Sequence, residues 1–202
     1  MVKINQNILD RLRNHWIKVK FYKKNPKLNG IKPLKNIKFC EATHKALFEP
    51  VLLNRKSISC LGAKHVFGWG NTLKNNILKK CNNKHKTKNF VFIDMFRQIS
   101  ALKKSVECIG LNTDDFPDMI ISYLPPEDVM ELIKKYNILT GKRLNFSLSS
   151  MMSICGGIAV NTYLENDINI SFGCNDSRKY ANIRRDSLAI GIPRRLFSIF
   201  KE

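Results

Sequence analysis

The sequence predicts an α/β (α+β) fold in which a mixed β-sheet is covered by helices, and two patterns indicate it. Short stretches of alternating apolar and polar residues are separated by Gly, Pro and Asn, as is typical of strands. Between them lie stretches with an apolar residue at every third or fourth position, as in amphipathic helices. Such a succession packs as a sheet with helical layers. The 202 residues are enough for one substantial hydrophobic core, so we predict a single domain over residues 1–202.

The first half of the chain is predicted to alternate between helices and short strands. Apolar residues recur at every fourth position from Ile4 to Trp16, which indicates a helix, and the alternation after Trp16 indicates a strand. The predicted elements are helices over 4–16 and 41–48, strands over 16–22 and 51–53, a turn with a short helix over 59–70, and a segment over 90–108 that is helical in at least its second part, with 90–93 either helix or strand.

The second half is predicted to contain four more strands. Pro125 and Pro126 are followed by acidic residues, and proline with acids is typical of the first turn of a helix. The predicted elements are strands over 117–124, 143–149, 169–172 and 187–192, a helix from 125, a turn at the Gly-Gly pair 156–157, and a terminal helix from 193. Together with the first half, this gives six strands in one sheet.

The net charge of +19 is unevenly distributed along the chain. Residues 1–104 contain 24 Lys and Arg against 4 Asp and Glu, whereas residues 105–202 contain 11 against 12. Clustered positive charge attracts anionic partners such as nucleic acids and acidic proteins. The excess is mostly Lys among many Asn and Ile, which is also the composition expected from an AT-rich genome. We predict a solvated basic loop at about residues 79–89 and rank nucleic-acid binding second.

The apolar residues predict a soluble, cytoplasmic protein with no membrane partner. No apolar stretch reaches the roughly 18–20 residues that a membrane-spanning helix needs. The first residues lack the apolar segment and cleavage site of a secretory signal. Because thiols are kept reduced in the cytoplasm, the six cysteines are expected to be metal ligands, reactive thiols or buried apolar residues rather than disulfides.

Four cysteines share one local context, in which an extended segment ends at the cysteine and a segment able to begin a helix follows. They are Cys40, Cys60, Cys155 and Cys174. The start of a helix presents unpaired backbone N–H groups and a positive potential, and both favour thiolates. Neighbouring glycines allow the backbone to approach a bound group, and a nearby arginine is expected over an anionic one. The residues predicted to border the group are Gly62, Gly156, Gly173 and Arg178.

We predict that the four thiolates bind an iron–sulfur cluster, of the 4Fe-4S type. Zinc is the alternative metal, because thiolates and imidazoles also bind zinc. His44 lies four residues after Cys40 and His65 lies five residues after Cys60, so a zinc site with two Cys and two His is a second arrangement. The chain has no C-x-x-C pair, and spacing alone therefore does not decide between them.

Several motifs of this chain resemble one known family. They are Phe39-Cys40-Glu41-Ala42, Ser59-Cys60-Leu61-Gly62-Ala63-Lys64, Phe172-Gly173-Cys174-Asn175-Asp176-Ser177-Arg178 and Ile190-Gly191-Ile192-Pro193. On them the chain is similar to the Domain of Unknown Function 169 proteins of archaea and anaerobic bacteria, from about Trp16 to Phe200. That family has no established activity, so the resemblance implies membership and no reaction. Leu61 departs from the proline or glycine common in members, and the basic loop around Cys81 is peculiar to this chain.

Three functional hypotheses remain open from the sequence. The first is a cytoplasmic iron–sulfur protein of redox or cofactor-related role, with a redox or acidic protein as partner. The alternative is a basic module that binds nucleic acid or an acidic partner, with zinc or no metal. The third is a thiol enzyme with one activated cysteine. The chain has no phosphate-binding glycine loop and no serine-hydrolase motif, and the sequence leaves both catalysis and homo-oligomer formation open.

Overall fold

The computed structural model describes residues 6–28, 30–70, 101–102, 106–146, 148 and 151–200. The predicted basic loop at 79–89, which includes Cys81, lies outside these residues. Most of the predicted helical segment before Cys108 also lies outside them.

The described chain forms a six-stranded sheet with the strand order β2-β3-β1-β4-β6-β5. The strands are β1 Ile17–Tyr22, β2 Val51–Asn54, β3 Cys108–Leu111, β4 Met119–Leu124, β5 Asn169–Ser171 and β6 Leu188–Pro193. All five pairings between neighbouring strands are antiparallel. The central strands therefore exchange hydrogen bonds with a strand on either side.

Helical segments occupy the stretches between the strands. They are α1 Gln6–Asn14, α2 Phe39–Lys45, α3 Leu61–Val66, α4 Pro126–Thr140, a π-helix over Ser153–Val160, α5 Asn161–Glu165, α6 Asn175–Tyr180 and a 3₁₀ helix over Arg194–Phe200. Helix α4 begins with proline and two acids in its first turn and ends at Gly141, which adopts the left-handed conformation. None of the described helices is long and apolar enough to cross a bilayer.

The sheet is buried on both faces, and each face has its own hydrophobic core. Because side chains alternate along a strand, Met119 and Ile121 of β4 point to one face, whereas Ile120 and Leu124 point to the other. The first core also contains residues of α2, α3 and the π-helix, and the second contains residues of α1, α4 and the 3₁₀ helix. Helices thus cover the sheet from both sides.

The predicted fold class is confirmed, with changes in three elements. The sheet pairings are antiparallel rather than mixed in direction. The alternating stretch at 143–149 forms no strand over 143–146, where Leu144 packs partly buried against the second core and the other three side chains are exposed. Cys108, which was predicted to end a helical segment, instead begins β3. The Gly-Gly pair at 156–157 lies inside the π-helix and not in a turn. The single domain over residues 1–202 remains a prediction.

An ion pair at the edge of the second core links helix α1 to helix α4. The Arg11 guanidinium donates two hydrogen bonds to the Asp128 carboxylate, at 2.7 Å from Nε and 2.6 Å from Nη2. Asp128 is almost fully buried, whereas half of the Arg11 side chain is exposed. A buried carboxylate without its partner is strongly destabilising. This pair therefore secures the helix that covers the Leu12 side of the sheet.

We expect Arg11→Met to lower the melting temperature by several degrees, because it leaves the Asp128 carboxylate buried and unpaired. The measurement is thermal unfolding followed by circular dichroism. The matched control is Arg184→Met, which removes an arginine from the exposed pair with Asp186 and is expected to change little. Equal effects of the two substitutions would contradict the role given to Asp128.

Candidate metal centre

Four cysteine side chains border one cavity of about 500 Å³. They are Cys40, Cys60, Cys155 and Cys174, and we call this space the cysteine cavity. The rest of its wall is mainly apolar and includes Phe39, Leu61, Met151, Met152 and Ile154. The fold thus brings together all four cysteines that the sequence predicted as ligands, although 134 residues separate Cys40 from Cys174.

Cys40 is held by the attachment of α2 to the sheet. It is the second residue of α2, and its carbonyl oxygen accepts a hydrogen bond of 2.7 Å from Thr43 Oγ1. The Tyr123 hydroxyl of β4 lies 2.9 Å from the same Oγ1. Because the one hydroxyl proton of Thr43 goes to the carbonyl, Tyr123 donates in the second bond. This chain of two hydrogen bonds fixes the first turn of α2 over β4.

Cys60 is half-buried and lies immediately before α3, with an extended backbone. Gly62 follows it in the first turn and has no room for a side chain. A Cβ at this position would lie 2.6 Å from Met152 Cγ and 3.8 Å from Cys60 Sγ. The glycine therefore allows Met152 to pack against α3 beside the Cys60 thiol.

Cys155 lies in the π-helix, whose backbone has two unusual features, a π-type hydrogen bond and a left-handed residue. The carbonyl oxygen of Met152 accepts from both Gly156 N (2.7 Å) and Gly157 N (3.1 Å), and the second bond has the i to i+5 spacing of a π-helix. Met152 itself adopts the left-handed conformation, with φ 49° and ψ 35°, which costs roughly 1–2 kcal/mol for an L-residue with a side chain. Such segments are concentrated at functional sites.

Cys174 is the residue before α6 and is bonded reciprocally to the first turn. Its N–H donates to Ser177 Oγ at 2.7 Å, and the N–H of Ser177 donates to Cys174 Sγ at 3.4 Å. Gly173 precedes it with φ +83°, a conformation that favours glycine. Ser171 Oγ accepts from Gly173 N and is also hydrogen-bonded to Ser153 of the π-helix. The Cys174 loop and the Cys155 helix are thus joined directly.

Burial keeps two of the thiols in their protonated form. Desolvation, followed by the nearby Cys174 and Cys60 thiols, raises the pKa of Cys40 to about 12. The pKa of Cys155 is raised well above its ordinary value by the same two causes, with burial first. Cys60 and Cys174 lie closer to the surface. The cavity therefore has two buried thiols at its inner wall and two half-exposed thiols at its rim.

One ion pair crosses the rim of the cysteine cavity. The Lys38 ammonium lies 2.8 Å from the Asp176 carboxylate, so it joins the start of α2 to the first turn of α6. It also lies 4.1 Å from the centre of the Tyr180 ring, within cation–π distance. Partial burial is the largest single influence and lowers the pKa of Lys38, but the hydrogen bond and the charge of Asp176, with smaller contributions from Tyr180 and Cys60, together raise the pKa above its usual value. A positive charge is therefore held in the cavity wall.

The predicted bordering residues are divided between the wall and its supports. Gly62 lines the cysteine cavity, whereas Gly156, Gly173 and Arg178 do not. The Arg178 guanidinium donates to the carbonyl oxygens of Arg184 (3.0 Å) and Ser187 (3.4 Å). Arg178 therefore holds the loop before β6. It does not lie in the cavity wall, where the sequence predicted it to border the bound group. The cationic side chain in the wall is Lys38.

The sequence prediction missed the methionine and charged side chains of the cavity wall. Met151 and Met152 lie four and three residues before Cys155 and add two thioether side chains to the wall. The consecutive methionines close to a cysteine were the available signal, because thioethers are soft ligands and adaptable packing groups. Lys38 and Asp176 each lie two residues from a predicted ligand, but nothing in the sequence indicated that they pair.

Within the described parts of the chain, no three or more His, Cys, Asp and Glu side chains stand close enough as placed to hold a metal ion. His44 and His65 do not line the cysteine cavity. The His44 ring packs against Phe48, and burial lowers the pKa of His65. The arrangement with two Cys and two His therefore has no geometric counterpart at this cavity.

Comparisons with known proteins give a family and one relative. The sequence profile of the DUF169 family, described as "Uncharacterised ArCR", matches residues 8–200. The chain is 26% identical over 118 residues to "Uncharacterized protein MJ0308" of Methanocaldococcus jannaschii, a match that covers 52% of this chain. That match spans about half of the relative, at 51% of its length. No solved structure matches the chain.

We expect Gly62→Ala to lower the free energy of unfolding by about 1–3 kcal/mol, because the new Cβ would overlap the Met152 side chain. Chemical denaturation measures this change. Because alanine has a higher helix propensity than glycine, helix propensity alone would make this substitution stabilising, so a loss of stability must come from the overlap. A second substitution, Met152→Ala, is expected to remove the overlap.

The matched control for this prediction is Gly157→Ala, in the π-helix on the same side of the sheet. A Cβ at Gly157 would meet no atom within 4 Å. This variant is expected to be as stable as the wild type or up to about 1 kcal/mol more stable. If Gly62→Ala behaved like Gly157→Ala, the close packing of Met152 on α3 would be wrong.

Proposed function

The chain belongs to the Domain of Unknown Function 169 family, and from the cysteine cavity we propose that it binds an iron–sulfur cluster, of the 4Fe-4S type. The proposed ligands are the thiolates of Cys40, Cys60, Cys155 and Cys174. The proposed role is electron transfer or cofactor-related redox chemistry.

One observation carries this proposal. Of the five cysteines in the described residues, four border a single cavity, and they come from four different segments of the chain. Packing alone gives no reason for such a concentration, because a buried cysteine fills space no better than alanine or valine. Four thiolates are the usual ligand set of a four-iron cluster.

The size and lining of the cavity support a body larger than one ion. Its volume of about 500 Å³ lies within the range of roughly 300–1,000 Å³ that is typical of ligand sites. The ligands of one zinc ion surround a single atom at about 2.3 Å, whereas those of a cluster bind separate iron atoms and stand farther apart. Four thiols spread around a cavity fit the second case better. The apolar wall would also limit the access of water, which tunes a redox centre.

The buried thiols must lose their protons before they can bind a cluster. Thiols bind metal as thiolates, so loading must release the protons that burial keeps on Cys40 and Cys155. Lys38 in the wall is paired with Asp176 of the same wall, so the two together bring little net charge to the anionic state that results. The two half-exposed thiols, Cys60 and Cys174, place one side of the site near the surface, as electron exchange with another molecule requires.

Protein purified without oxygen, or reconstituted with iron and sulfide, is expected to contain about four iron and four sulfide per chain. It should also absorb visible light through thiolate-to-iron charge transfer. Cys174→Ser is expected to lower the bound iron to less than half, because it removes one of four ligands. Metal analysis and the absorption spectrum measure both. Colourless, iron-free protein with a normal circular dichroism spectrum would contradict the proposal. Protein that contains zinc in place of iron would favour the zinc alternative.

The matched control is Cys108→Ser. Cys108 is buried in β3, donates to Asn25 Oδ1 at 3.2 Å, and does not line the cysteine cavity. This variant should keep the full iron and sulfide content. Equal losses in Cys108→Ser and Cys174→Ser would indicate a general effect on folding rather than ligation.

Loading is also expected to raise the melting temperature by several degrees or more. A group that binds only the folded chain stabilises it, and ligands from four segments cross-link α2, α3, the π-helix and α6. Calorimetry on loaded and iron-free samples checks this. Equal melting temperatures for the two samples would contradict ligation by all four segments.

A further inference from the structure

We infer that the opening of the cysteine cavity is the docking surface for a small acidic electron-carrier protein. This inference rests on the proposed function, because it concerns how electrons reach the proposed cluster. Three observations carry it: the exposure of two thiols, the local charge, and the side chains at the rim.

The first observation is that only two of the four cysteines that line the cavity are accessible from the surface. Cys60 and Cys174 are half-exposed, whereas Cys40 and Cys155 are each about 8% exposed. A partner that exchanges electrons with a group on these thiols must therefore approach over Cys60 and Cys174. Phe172, two residues before Cys174, is 57% exposed, and exposed aromatic side chains are frequent at interfaces.

The second observation is the charge of the segments that form the opening. Besides the stretch 151–155, the residues that line the cavity come from 38–40, 59–63 and 174–177. We define the rim segments as the stretches that carry these residues, 35–49, 55–64 and 174–186. They contain 10 Lys and Arg against 4 Asp and Glu, a net +6 in 38 residues. The other 120 described residues contain 14 against 10, a net +4. Positive charge is thus denser in the segments that carry these lining residues than in the rest of the described chain.

The third observation is a cationic and aromatic cluster at the rim. The Tyr180 ring lies between two ammonium groups, with Lys38 at 4.1 Å and Lys179 at 5.4 Å from its centre. Asp176 offsets the charge of Lys38, but Lys179 is exposed. Arg184 and Arg185 follow in the same rim segment, and both are exposed. Lys179 and Arg185 are therefore charges that an incoming acidic surface can meet.

These features fit a transient complex with an acidic protein. A positive surface around a redox group raises the rate of encounter with an anionic carrier, by about 10- to 1,000-fold in steered systems. Electron-transfer complexes are small and short-lived, so a rim of this extent is sufficient. A nucleic acid would also be attracted by the positive charge, but its binding would not depend on exposed thiols beside that charge.

The test uses the full-length, cluster-loaded protein and a plant-type ferredoxin, which is a small acidic iron–sulfur protein. Stopped-flow absorption measures, at increasing salt, the rate constant with which reduced ferredoxin passes one electron to the oxidised cluster, so that the ferredoxin is oxidised and the cluster is reduced. We expect this rate constant to fall steeply as salt rises, because salt screens the attraction. With a cationic viologen as reductant, the rate is expected to rise or stay constant with salt. The double variant Lys179→Glu, Arg185→Glu should slow exchange with ferredoxin about tenfold at low salt.

The matched control is Lys134→Glu, Lys142→Glu, which makes the same change of charge away from the rim segments. Lys134 is an exposed residue of α4, and Lys142 is exposed just after that helix. This variant should exchange electrons at nearly the wild-type rate. Equal slowing in both double variants, or a rate independent of salt, would overturn the docking surface while the cluster proposal stands.

Two other outcomes separate the inference from its premise. Iron-free protein overturns the proposed function, and the inference falls with it. A loaded protein that binds a single-stranded oligonucleotide at the rim, loses this binding in Lys179→Glu, Arg185→Glu and exchanges no electrons with ferredoxin overturns the inference in favour of nucleic acid.

Discussion

The burial of the sheet on both faces is the constraint on which the rest of the molecule depends. β4 has apolar side chains on either side, so neither face of the sheet can be left to water. Helices must therefore cover both. Cys40, Cys155 and the half-buried Cys60 all pack in the core of one face, with α2, α3 and the π-helix. Cys174 joins them because β5 delivers it to the edge of that layer.

Much of the fold follows from local patterns. The predicted cysteine context holds for Cys60 and Cys174, which immediately precede helices, whereas Cys40 is the second residue of α2 and Cys155 lies inside the π-helix. The alternation in β1 and the apolar runs in β2, β4 and β6 predict those strands within one or two residues. Periodicity fails over 143–146, because an alternating pattern forms a strand only where a neighbouring strand accepts its hydrogen bonds. It also cannot predict a π-helix, because the wider turn around Gly156 depends on tertiary packing rather than on a composition that favours it.

The candidate site is predictable in its residues and not in its geometry. Four cysteines with a similar context can be recognised along the chain, but their meeting at one cavity is a property of the sheet order. Arg178 shows the limit of reasoning from spacing, because its guanidinium is attracted to the free carbonyls of the loop before β6. Lys38 occupies the wall instead, and its partner Asp176 is 138 residues away in sequence.

The wide separation of the four cysteines has a consequence for the order of events during folding. In a zinc finger, neighbouring ligands let the metal nucleate the structure around it. Here the first and last cysteines are 134 residues apart, and contacts of such long range form late, after the loss of chain entropy has been offset elsewhere. Any group held by all four must therefore enter a chain whose sheet is already assembled. Its delivery is then a separate biosynthetic step, which a chaperone or carrier that recognises the folded surface could perform.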